Sequence, residues 1–513
     1  MKTVSTTSEK KTVQLTVFRF NPETDKEPRY ETHAVEWVPS LTAHMALTYT
    51  NRHSRANIAF RRGCREANCG ACAISVNGVP ELACRVLVRD GDILEPLRGY
   101  SVIRDLVIGR TEQTAENFRR IKYGREGKPI GFVAAKPEEM SVSSQLTICI
   151  DCHGCNSMCP PLLETPEKFI GPMYLLNIIR SMFNPLEEYD RVTQAVDLGL
   201  YNCTMCQACT TSCPKDLEVA ESVILARERA VKADILPDEV RKISRNIIEM
   251  DSVSAVNKKQ GASWAADLGI PRTGKTLFFA SCEYSATEDG RRVLALAAEL
   301  FKKAGVSLSY LHEEEPCCGG PLYFYGFSKE FKEKVVKTQK MLKAKGVEEI
   351  ITPDPLCAYT FKELYPKYAD GSNIRVRTVL EVILERIRSK EIRLKTAGNK
   401  KVVFHDPSFL SRFLNVVEEP REVLASIPGV SVVEPKYYWG VNTMADGQLA
   451  ANDEVSAKIA QARLNQLVDS GAETVITASA PDLYQLNRAA VTLGNPDLEI
   501  VDIIEFVARA LEV

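Results

Sequence analysis

Alternating apolar and polar positions predict β-structure near the start of the chain. The segment Val13-Gln14-Leu15-Thr16-Val17-Phe18-Arg19-Phe20 places apolar residues at every second position, which predicts a strand with one buried face. Ala73-Ile74-Ser75-Val76 is followed by Asn77-Gly78, and this order predicts a hairpin with a type I′ turn. These strands indicate a small β-rich domain over residues 12–108.

Helical periodicity replaces the alternation further along. Residues 174–183 and 221–233 place apolar residues three and four positions apart, which predicts two amphipathic helices. The first lies between two cysteine-rich runs and the second follows them. We therefore expect a helical domain over residues 140–250, followed by a linker over 251–272.

The remaining chain contains an internal repeat of about 125 residues. Residues 346–352 align without gaps with residues 471–477, and helical stretches (329–345 and 453–470) precede both segments. Residues 277–282 resemble residues 402–408 when one insertion is allowed. Strands that alternate with helices predict two α/β lobes, over 273–395 and 396–513, with ligands at the ends of strands. The predicted fold class is thus a multidomain α+β chain.

Composition and charge exclude several classes of protein. The chain has 513 residues, 45% of them apolar, so it can bury several cores. The 65 basic and 67 acidic residues nearly cancel and form no basic stripe, which argues against a nucleic-acid partner. No apolar run reaches the roughly 20 residues of a membrane span, and residues 1–11 lack the apolar core of a signal peptide. We expect a soluble cytoplasmic protein that could still dock on a membrane subunit.

Sixteen cysteines indicate metal chemistry, because a reducing cytosol keeps thiols free and thiolates bind soft metals. Cys64, Cys69, Cys72 and Cys84 are spaced C-x4-C-x2-C-x11-C, close to the plant-type ferredoxin run that binds a two-iron cluster. A zinc site, the alternative, prefers paired C-x2-C units.

Two further runs share the spacing C-x2-C-x2-C-x3-C-P, which is typical of bacterial two-cluster ferredoxins. In that pattern the fourth cysteine of each run binds the other cluster, so the spacing predicts two ligand sets of four. Both sets are complete, which favours four-iron over three-iron clusters. The first set is Cys149, Cys152, Cys155 and Cys213, and the second set is Cys159, Cys203, Cys206 and Cys209.

The last four cysteines all lie in the first lobe of the repeat: Cys282, Cys317, Cys318 and Cys357. Adjacent cysteines in a polar loop suit bridging ligands, so we expect a metal cluster there. In the second lobe no cysteine remains, and Ser408, the segment 438–440, Ser479 and Asp482 stand at roughly the matching places. We therefore expect the second lobe to be structural.

Three other features carry less chemistry. Residues 269–276 satisfy the phosphate-loop pattern G-x4-G-K-T, but Pro271 interrupts them and a strand follows where a helix is required. His153 lies inside a predicted cluster loop and is expected to tune that cluster without binding it. His312 precedes Glu313-Glu314-Glu315, which we interpret as a solvated acidic face.

The N-terminal half resembles the iron–sulfur subunits of succinate dehydrogenases and fumarate reductases. The resemblance covers residues 12–235 and rests on Arg61 to Glu66, Leu82 to Cys84, Cys149 to Pro160, Lys168 to Pro172, and Cys203 to Pro214. It implies a β-grasp two-iron domain and a helical two-cluster domain. The family usually keeps a three-iron last centre, whereas the complete second run here implies a four-iron centre.

The C-terminal half resembles the cysteine-rich CCG domains of heterodisulfide reductases and of lactate and glycolate oxidase subunits. His405-Asp406-Pro407 and Ile427 to Val430 are similar to the second-lobe pattern of that family. Intact lobes of the family are associated with a non-cubane four-iron cluster. Asp354 stands where a fifth cysteine is expected. The resemblance therefore implies the non-cubane cluster with an oxygen ligand, a cubane cluster, or a site that holds less than a four-iron cluster.

The fusion of both halves is similar to the iron–sulfur subunits of thiol-linked fumarate reductases. That resemblance implies electron input from thiols such as coenzyme M and coenzyme B, with Cys317 and Cys318 as candidate input site, and FAD on a partner subunit. A further redox partner or a membrane anchor is a possible third component. Two alternatives stay open: a C-terminal half that only docks another protein, and the iron–sulfur subunit of a lactate or glycolate oxidase.

Overall fold

The chain folds into two compact units of mixed α/β structure. A computed structural model describes residues 11–121, 137–369, 373–436 and 449–512. Unit 1 takes the described residues of 1–163, 170–191 and 208–219, and unit 2 takes those of 164–169, 192–207 and 220–513. Within the described ranges, no helix is long and apolar enough to cross a membrane.

Unit 1 is built on a five-stranded sheet in the order β2-β1-β5-β3-β4. Strand β1 pairs antiparallel with β2 and parallel with β5, and β3 pairs antiparallel with β4 and β5. Two short strands, β6 and β7, form a separate ladder. The strands are β1 (Thr12–Arg19), β2 (Arg29–Glu36), β3 (Ala73–Val76), β4 (Val79–Leu82), β5 (Ile93–Glu95), β6 (Val102–Arg104) and β7 (Val107–Ile108).

The predicted periodicity determines which face of the sheet is buried. Val13, Leu15 and Val17 of β1 are all at most 4% exposed, as the alternation of apolar positions requires. Asn77 and Gly78 have φ values of +51° and +83°, which are the two left-handed residues that a type I′ turn needs. The predicted strand and hairpin are both present.

Helices surround the cysteine runs that follow. The helices predicted over 174–183 and 221–233 are present as α6 and α9. The helices of this part of the chain are α1 (Ala43–His53), α2 (Arg110–Arg120), α3 (Pro137–Leu146), α4 (Gly154–Ser157), α5 (Pro160–Glu164), α6 (Pro172–Met182), α7 (Arg191–Asp197), α8 (Ala208–Thr211), α9 (Val219–Lys232), α10 (Asp238–Met250) and α11 (Lys258–Gly261).

Unit 2 contains two parallel sheets, one for each predicted lobe. The first sheet has the order β10-β9-β8 and the second β12-β11-β13-β14. Gly346 and Gly471 share a φ of +71° before equivalent strands, as a structural repeat predicts. The strands are β8 (Thr276–Phe278), β9 (Glu349–Thr352), β10 (Arg375–Thr378), β11 (Lys400–Phe404), β12 (Val430–Val433), β13 (Thr474–Thr477) and β14 (Glu499–Asp502).

One apolar core joins the two lobes. Phe278 and Phe301 of the first lobe and Phe404 and Phe506 of the second belong to the same buried cluster. The helices of this part are α12 (Cys282–Ala286), α13 (Glu288–Lys303), α14 (Gly320–Phe324), α15 (Ser328–Ala344), α16 (Pro355–Tyr359), α17 (Tyr365–Tyr368), α18 (Val379–Arg388), α19 (Glu418–Ala425), α20 (Asp453–Val468), α21 (Ala480–Thr492) and α22 (Ile503–Arg509).

The predicted linker over 251–272 contributes to this core. It contains α11 and a 3-10 turn at Ser263–Ala265, and Trp264 is only 8% exposed and packs edge-on against Phe278. The phosphate-loop match within 269–276 leads directly into strand β8. No helix N-terminus follows the loop, so this segment lacks the geometry that a phosphate loop needs.

Candidate metal centres

Backbone amides surround the first cysteine loop. The Cys64 Sγ accepts hydrogen bonds from the amides of Glu66 at 3.4 Å and Asn68 at 3.3 Å. The Cys69 Sγ accepts one from the Cys64 amide at 3.4 Å. The amides of Glu66 and Asn68 lower the pKa of Cys64 to about 7, because a hydrogen bond to a thiolate stabilises its charge. The backbone of the loop therefore stabilises anionic sulfur without help from a metal.

The other two cysteines of this run lie on the sheet side of the loop. Cys72 precedes β3 and is buried, and burial raises its pKa to about 11. Cys84 follows β4, and its Sγ accepts a hydrogen bond from the Ala67 amide at 3.4 Å. A buried thiolate needs a cation beside it, and iron supplies one, so the four residues fit a two-iron cluster.

The first cysteine set of the helical runs lines one cavity in unit 1. Its four members share the cavity wall with Met173, Leu176, Leu217 and Val219. Burial and mutual repulsion raise the pKa of Cys155 well above its usual value, and burial raises that of Cys149 to about 12. A metal cluster removes this penalty by binding the thiolates directly. The predicted set is therefore brought together by the fold.

His153 lies in the same cavity, where its ring is engaged by a tyrosine. Its Nδ1 is 2.8 Å from the Tyr100 hydroxyl. Burial lowers the pKa of His153 to about 4, so the ring is neutral at pH 7. Its contact with Tyr100 fits the predicted tuning role.

Two arginines contact the second run in unit 2. Arg227, on α9, donates from Nη2 to the carbonyl of Cys203 at 2.7 Å. Arg412, in the second lobe, donates from Nε to the carbonyl of Cys206. Burial raises the pKa of Cys203, and the charge of Arg227 opposes that rise. Cys159 and Cys209, the other predicted members of this set, belong to unit 1.

The four remaining cysteines meet at the carboxyl edge of the first lobe. The Sγ atoms of Cys318 and Cys357 are 3.2 Å apart, and those of Cys282 and Cys317 are 3.9 Å apart. Cys317, Cys318 and Cys357 are each at most 2% exposed. Two close pairs of thiols, joined through the adjacent residues Cys317 and Cys318, suit a multi-iron cluster. Among the described residues, no group of three ligand side chains converges on a single metal ion.

Asp354 caps a helix beside these cysteines. One carboxylate oxygen accepts a hydrogen bond from the Cys357 amide at 3.0 Å, and the other accepts one from the Ser281 hydroxyl at 2.7 Å. Asp354 is thus the N-cap of α16, which fixes the direction of the Cys357 side chain. Both oxygens are engaged without metal ligation, and the predicted oxygen-ligand role stays a prediction.

Glu315 corrects the interpretation of the acidic segment that follows His312. Glu313 and Glu314 are exposed and pair with Arg272, as a solvated face predicts. Glu315 is buried instead, and its carboxylate accepts the amides of Ala280 and Ser281 at 2.9 and 3.1 Å. Burial raises the pKa of Glu315 to about 8. This side chain holds the loop before Cys282, and no spacing rule could have identified it.

A cavity of unit 2 opens onto the cysteine group. Cys282 lines it together with Lys258, Ser285, His312 and Glu315. Cys282 is the least buried of the four cysteines, and it is the member of the group that lines this cavity.

In the second lobe, buried polar side chains lie beside the positions that match the ligands. The His405 ring lies 3.1 Å from Asp482 and accepts a hydrogen bond from Arg463 at 3.2 Å. Asp406 pairs with Arg421 at 2.8 Å. Hydrogen bonds of the His405 ring and the ion pair of Asp406 fill this part of the lobe, which fits its predicted structural role. Ser408 and Ser479 are buried nearby, and the segment 438–440 lies outside the described residues.

Family models match three parts of the chain, in the predicted order. A 2Fe-2S iron-sulfur cluster binding domain matches residues 14–115, a 4Fe-4S dicluster domain matches 145–217, and a cysteine-rich domain matches 276–362. The prediction that the chain binds iron–sulfur clusters is confirmed.

Several curated proteins are similar to the chain. A fumarate reductase (CoM/CoB) subunit from Methanothermobacter marburgensis is 29% identical over 97% of this chain and 99% of its own length. The iron-sulfur subunit of a succinate dehydrogenase from Coxiella burnetii is 30% identical over 43% of this chain and 96% of its own length. A dihydromethanophenazine:CoB--CoM heterodisulfide reductase subunit from Methanosarcina acetivorans is 25% identical over 72% of this chain and 94% of its own length.

Among solved structures, a hypothetical protein from Helicobacter pylori has a similar fold. The TM-score is 0.65 at 15% identity, and the match covers 97% of this chain and 94% of that one. The arrangement of elements over almost the whole chain is therefore shared with a known structure.

Proposed function

Because the chain belongs to the family of iron–sulfur subunits of succinate dehydrogenases and fumarate reductases, and so transfers electrons within an oxidoreductase complex, we propose that it links a thiol-oxidising site in its cysteine-rich half to a flavin-containing partner. The relative from Methanothermobacter marburgensis, whose name includes coenzyme M and coenzyme B, supports this class of donor. In this proposal the protein acts in the cytoplasm and meets a membrane only through a partner.

The proposal assigns four centres to the sixteen cysteines. One two-iron cluster is held in a β-grasp domain, and two four-iron clusters are held in the helical domain. A further four-iron cluster lies in the first lobe of a two-lobed domain. The ligand sets are Cys64, Cys69, Cys72 and Cys84; Cys149, Cys152, Cys155 and Cys213; Cys159, Cys203, Cys206 and Cys209; and Cys282, Cys317, Cys318 and Cys357.

A single side chain supports the connection between the last two centres. Arg227 donates to the carbonyl of Cys203 at 2.7 Å and to the carbonyl of Phe324 at 2.9 Å. Phe324 ends α14, which begins immediately after the Cys317-Cys318-Gly319 loop. Arg227 therefore joins, through hydrogen bonds, the loop of Cys203 to the last residue of the helix that follows the Cys317-Cys318 pair. This observation carries the proposal.

Electrons would leave through the two-iron loop. Cys64 and Cys69 are exposed, and so are Arg61, Arg62 and Arg65, which lie next to Cys64 in the sequence. An exposed cluster with a basic rim suits an acidic partner surface, which steers association. The chain has no dinucleotide fingerprint, so we assign FAD to that partner.

Donor thiols would meet the group at Cys282, the least buried of its four cysteines. Once bound, the cluster supplies one-electron acceptance, and the residues of this chain position the donor sulfur. The buried Glu315 keeps the Cys282 loop rigid through two amide hydrogen bonds. Lys258, which also lines the cavity, donates to the Glu315 carbonyl, and this contact holds the cavity in one shape.

The test is iron and acid-labile sulfide per chain in the anaerobically purified complex. We expect about fourteen irons, falling to about ten in Cys357→Ser together with loss of thiol-driven turnover. Ser408→Ala, in the matching position of the second lobe, should keep the wild-type iron content. About ten irons in the wild type would favour a C-terminal half that only docks a partner. Turnover of lactate or glycolate, without fumarate or succinate, would favour the oxidase alternative.

A further inference from the structure

Two guanidinium groups from outside the second cysteine run converge on its ligand loop. Arg227 approaches from α9 and binds the carbonyl of Cys203, while Arg412 approaches from the second lobe and binds the carbonyl of Cys206. The two contacted residues are three positions apart in one turn of the loop, and both are predicted cluster ligands. The loop is therefore held between two positive charges.

Arg227 is completely buried without a carboxylate partner. It is 0% exposed, and its guanidinium donates to the carbonyls of Leu200, Cys203 and Phe324. Throughout the described ranges of the chain, no acidic side chain lies within ion-pair distance of it. Its Cζ lies 4.9 Å from the centre of the Tyr201 ring. A buried cation is costly unless an anion compensates it, and thiolate-bound clusters carry negative charge.

Arg412 gives the second lobe a connection to the same loop. It lies in a π-helix at Phe409–Phe413, which directly follows Ser408, the residue that matches a cysteine position of the first lobe. The lobe has no thiolates, yet its π-helix brings a cation to the carbonyl of Cys206. This contact is a reason for the chain to keep a lobe that has lost its cysteines.

We propose that Arg227 and Arg412 are positioning residues that raise the reduction potential of the four-iron cluster bound by Cys203 and Cys206. Reduction adds one electron to the cluster and neither forms nor breaks a bond. Fixed positive charges in a low-dielectric interior stabilise the more negative, reduced state. The cluster thereby becomes a better acceptor for electrons from the cysteine-rich lobe. The inference rests on the proposed function, since it needs a cluster in this run.

The test is a redox titration followed by EPR on the anaerobic full-length chain. Arg227→Gln and Arg412→Gln should each lower the equilibrium constant for reduction of one four-iron centre at least tenfold, which is about 59 mV for one electron. Arg227→Lys should shift the potential by less than half as much, because it keeps the charge. Cys206→Ser identifies the affected centre, since its spectrum changes when that ligand changes.

Arg377→Gln is the matched control, because Arg377 is a half-buried arginine whose charge is already paired with Glu349 and Glu385. It should move no potential. Unchanged potentials in both glutamine variants, at full iron content, would refute this inference but not the proposed function. Equal shifts in every centre, or equal shifts in Arg227→Lys and Arg227→Gln, would refute it in the same way. If Arg227→Gln loses iron, the milder Arg412→Gln decides the outcome. About ten irons per wild-type chain would contradict the proposed thiol-oxidising site without affecting this inference, whereas iron well below ten would refute both.

Discussion

Replacing Gly326 by alanine should loosen the packing of α14 against α9. Gly326 has a φ of +89°, and a Cβ at this position would stand 2.4 Å from the backbone carbon of Arg227 and 2.5 Å from the amide nitrogen of Glu228. Neither neighbouring atom belongs to a flexible side chain. The substitution must therefore move a helix or the turn itself.

The expected loss of stability has three parts and one partial offset. Alanine in the left-handed region costs about 1–2 kcal/mol, partly offset by about 0.4–1 kcal/mol from a less flexible unfolded chain. Overpacking adds about 1–3 kcal/mol, and movement of α9 weakens hydrogen bonds from the buried Arg227, each worth about 1.5–3 kcal/mol. We expect a total of roughly 3–5 kcal/mol.

Hydrogen exchange read by mass spectrometry measures this loss locally, which suits a chain of several domains. Peptides that span 219–232 and 320–327 should lose protection at least 100-fold in Gly326→Ala, since 1.4 kcal/mol corresponds to tenfold. Gly346→Ala is the matched control: its φ is +71°, and no atom lies within 4 Å of the added Cβ. It should lose protection only about fivefold, near residues 344–352.

Equal losses in the two variants would refute the reasoning, because the clash with α9 would then contribute nothing. A Gly326→Ala effect confined to 320–327, with residues 219–232 unchanged, would show that the turn absorbs the strain and that the contact with Arg227 is not rigid.

Three further predictions concern other parts of the chain. Burial raises the pKa of Asp502 to about 7, so the folded state holds a proton that the unfolded chain releases near pH 4. The free energy of unfolding therefore falls by about 1.4 kcal/mol per pH unit as pH rises between these values. The thermal midpoint of Asp502→Asn should lose this dependence between pH 5 and 7. Asp105→Ala removes the carboxylate that pairs with Arg19 at 3.1 Å and accepts the amides of Phe20 and Ala59. Arg19 keeps Glu31 as a partner, so the unpaired amides set the loss, about 2–4 kcal/mol, seen as faster loss of the two-iron EPR signal in urea, whereas Asp90→Ala should stay near wild type. After anaerobic chelation of iron, iodoacetamide at pH 7 should modify Cys64, whose pKa is about 7, far faster than Cys72, whose pKa is about 11; equal rates in peptide mass spectra would contradict the loop geometry.

The cysteine positions and the hydrophobic periods predicted much of this molecule, because both are local signals. The alternation in β1 placed Val13, Leu15 and Val17 in the core, and Asn77-Gly78 predicted the turn that follows β3. Cysteine spacing likewise predicted a set whose four members line one cavity in unit 1. In most of these cases the residues that decide the structure lie within a few positions of one another.

The groups that sequence analysis missed act over long separations. Arg412 binds a carbonyl 206 positions earlier in the chain, and Arg227 has no motif around it. Glu315 looked like part of a charged surface because its two neighbours are acidic and exposed. Burial of a single charged residue depends on tertiary packing, which leaves no periodic trace in the sequence.

The backbone before Cys282 has a consequence for the speed of electron transfer. Ser281 is fully buried with a φ of +73°, a conformation that a serine keeps only when its surroundings enforce it. Its amide is held by Glu315, and its hydroxyl is held by Asp354. In the proposed function, in which Cys282 binds a cluster, a ligand shell locked in this way would change little when that cluster gains an electron. A small rearrangement means a low reorganisation energy. The strained loop would therefore lower the stability of the fold and at the same time speed electron transfer.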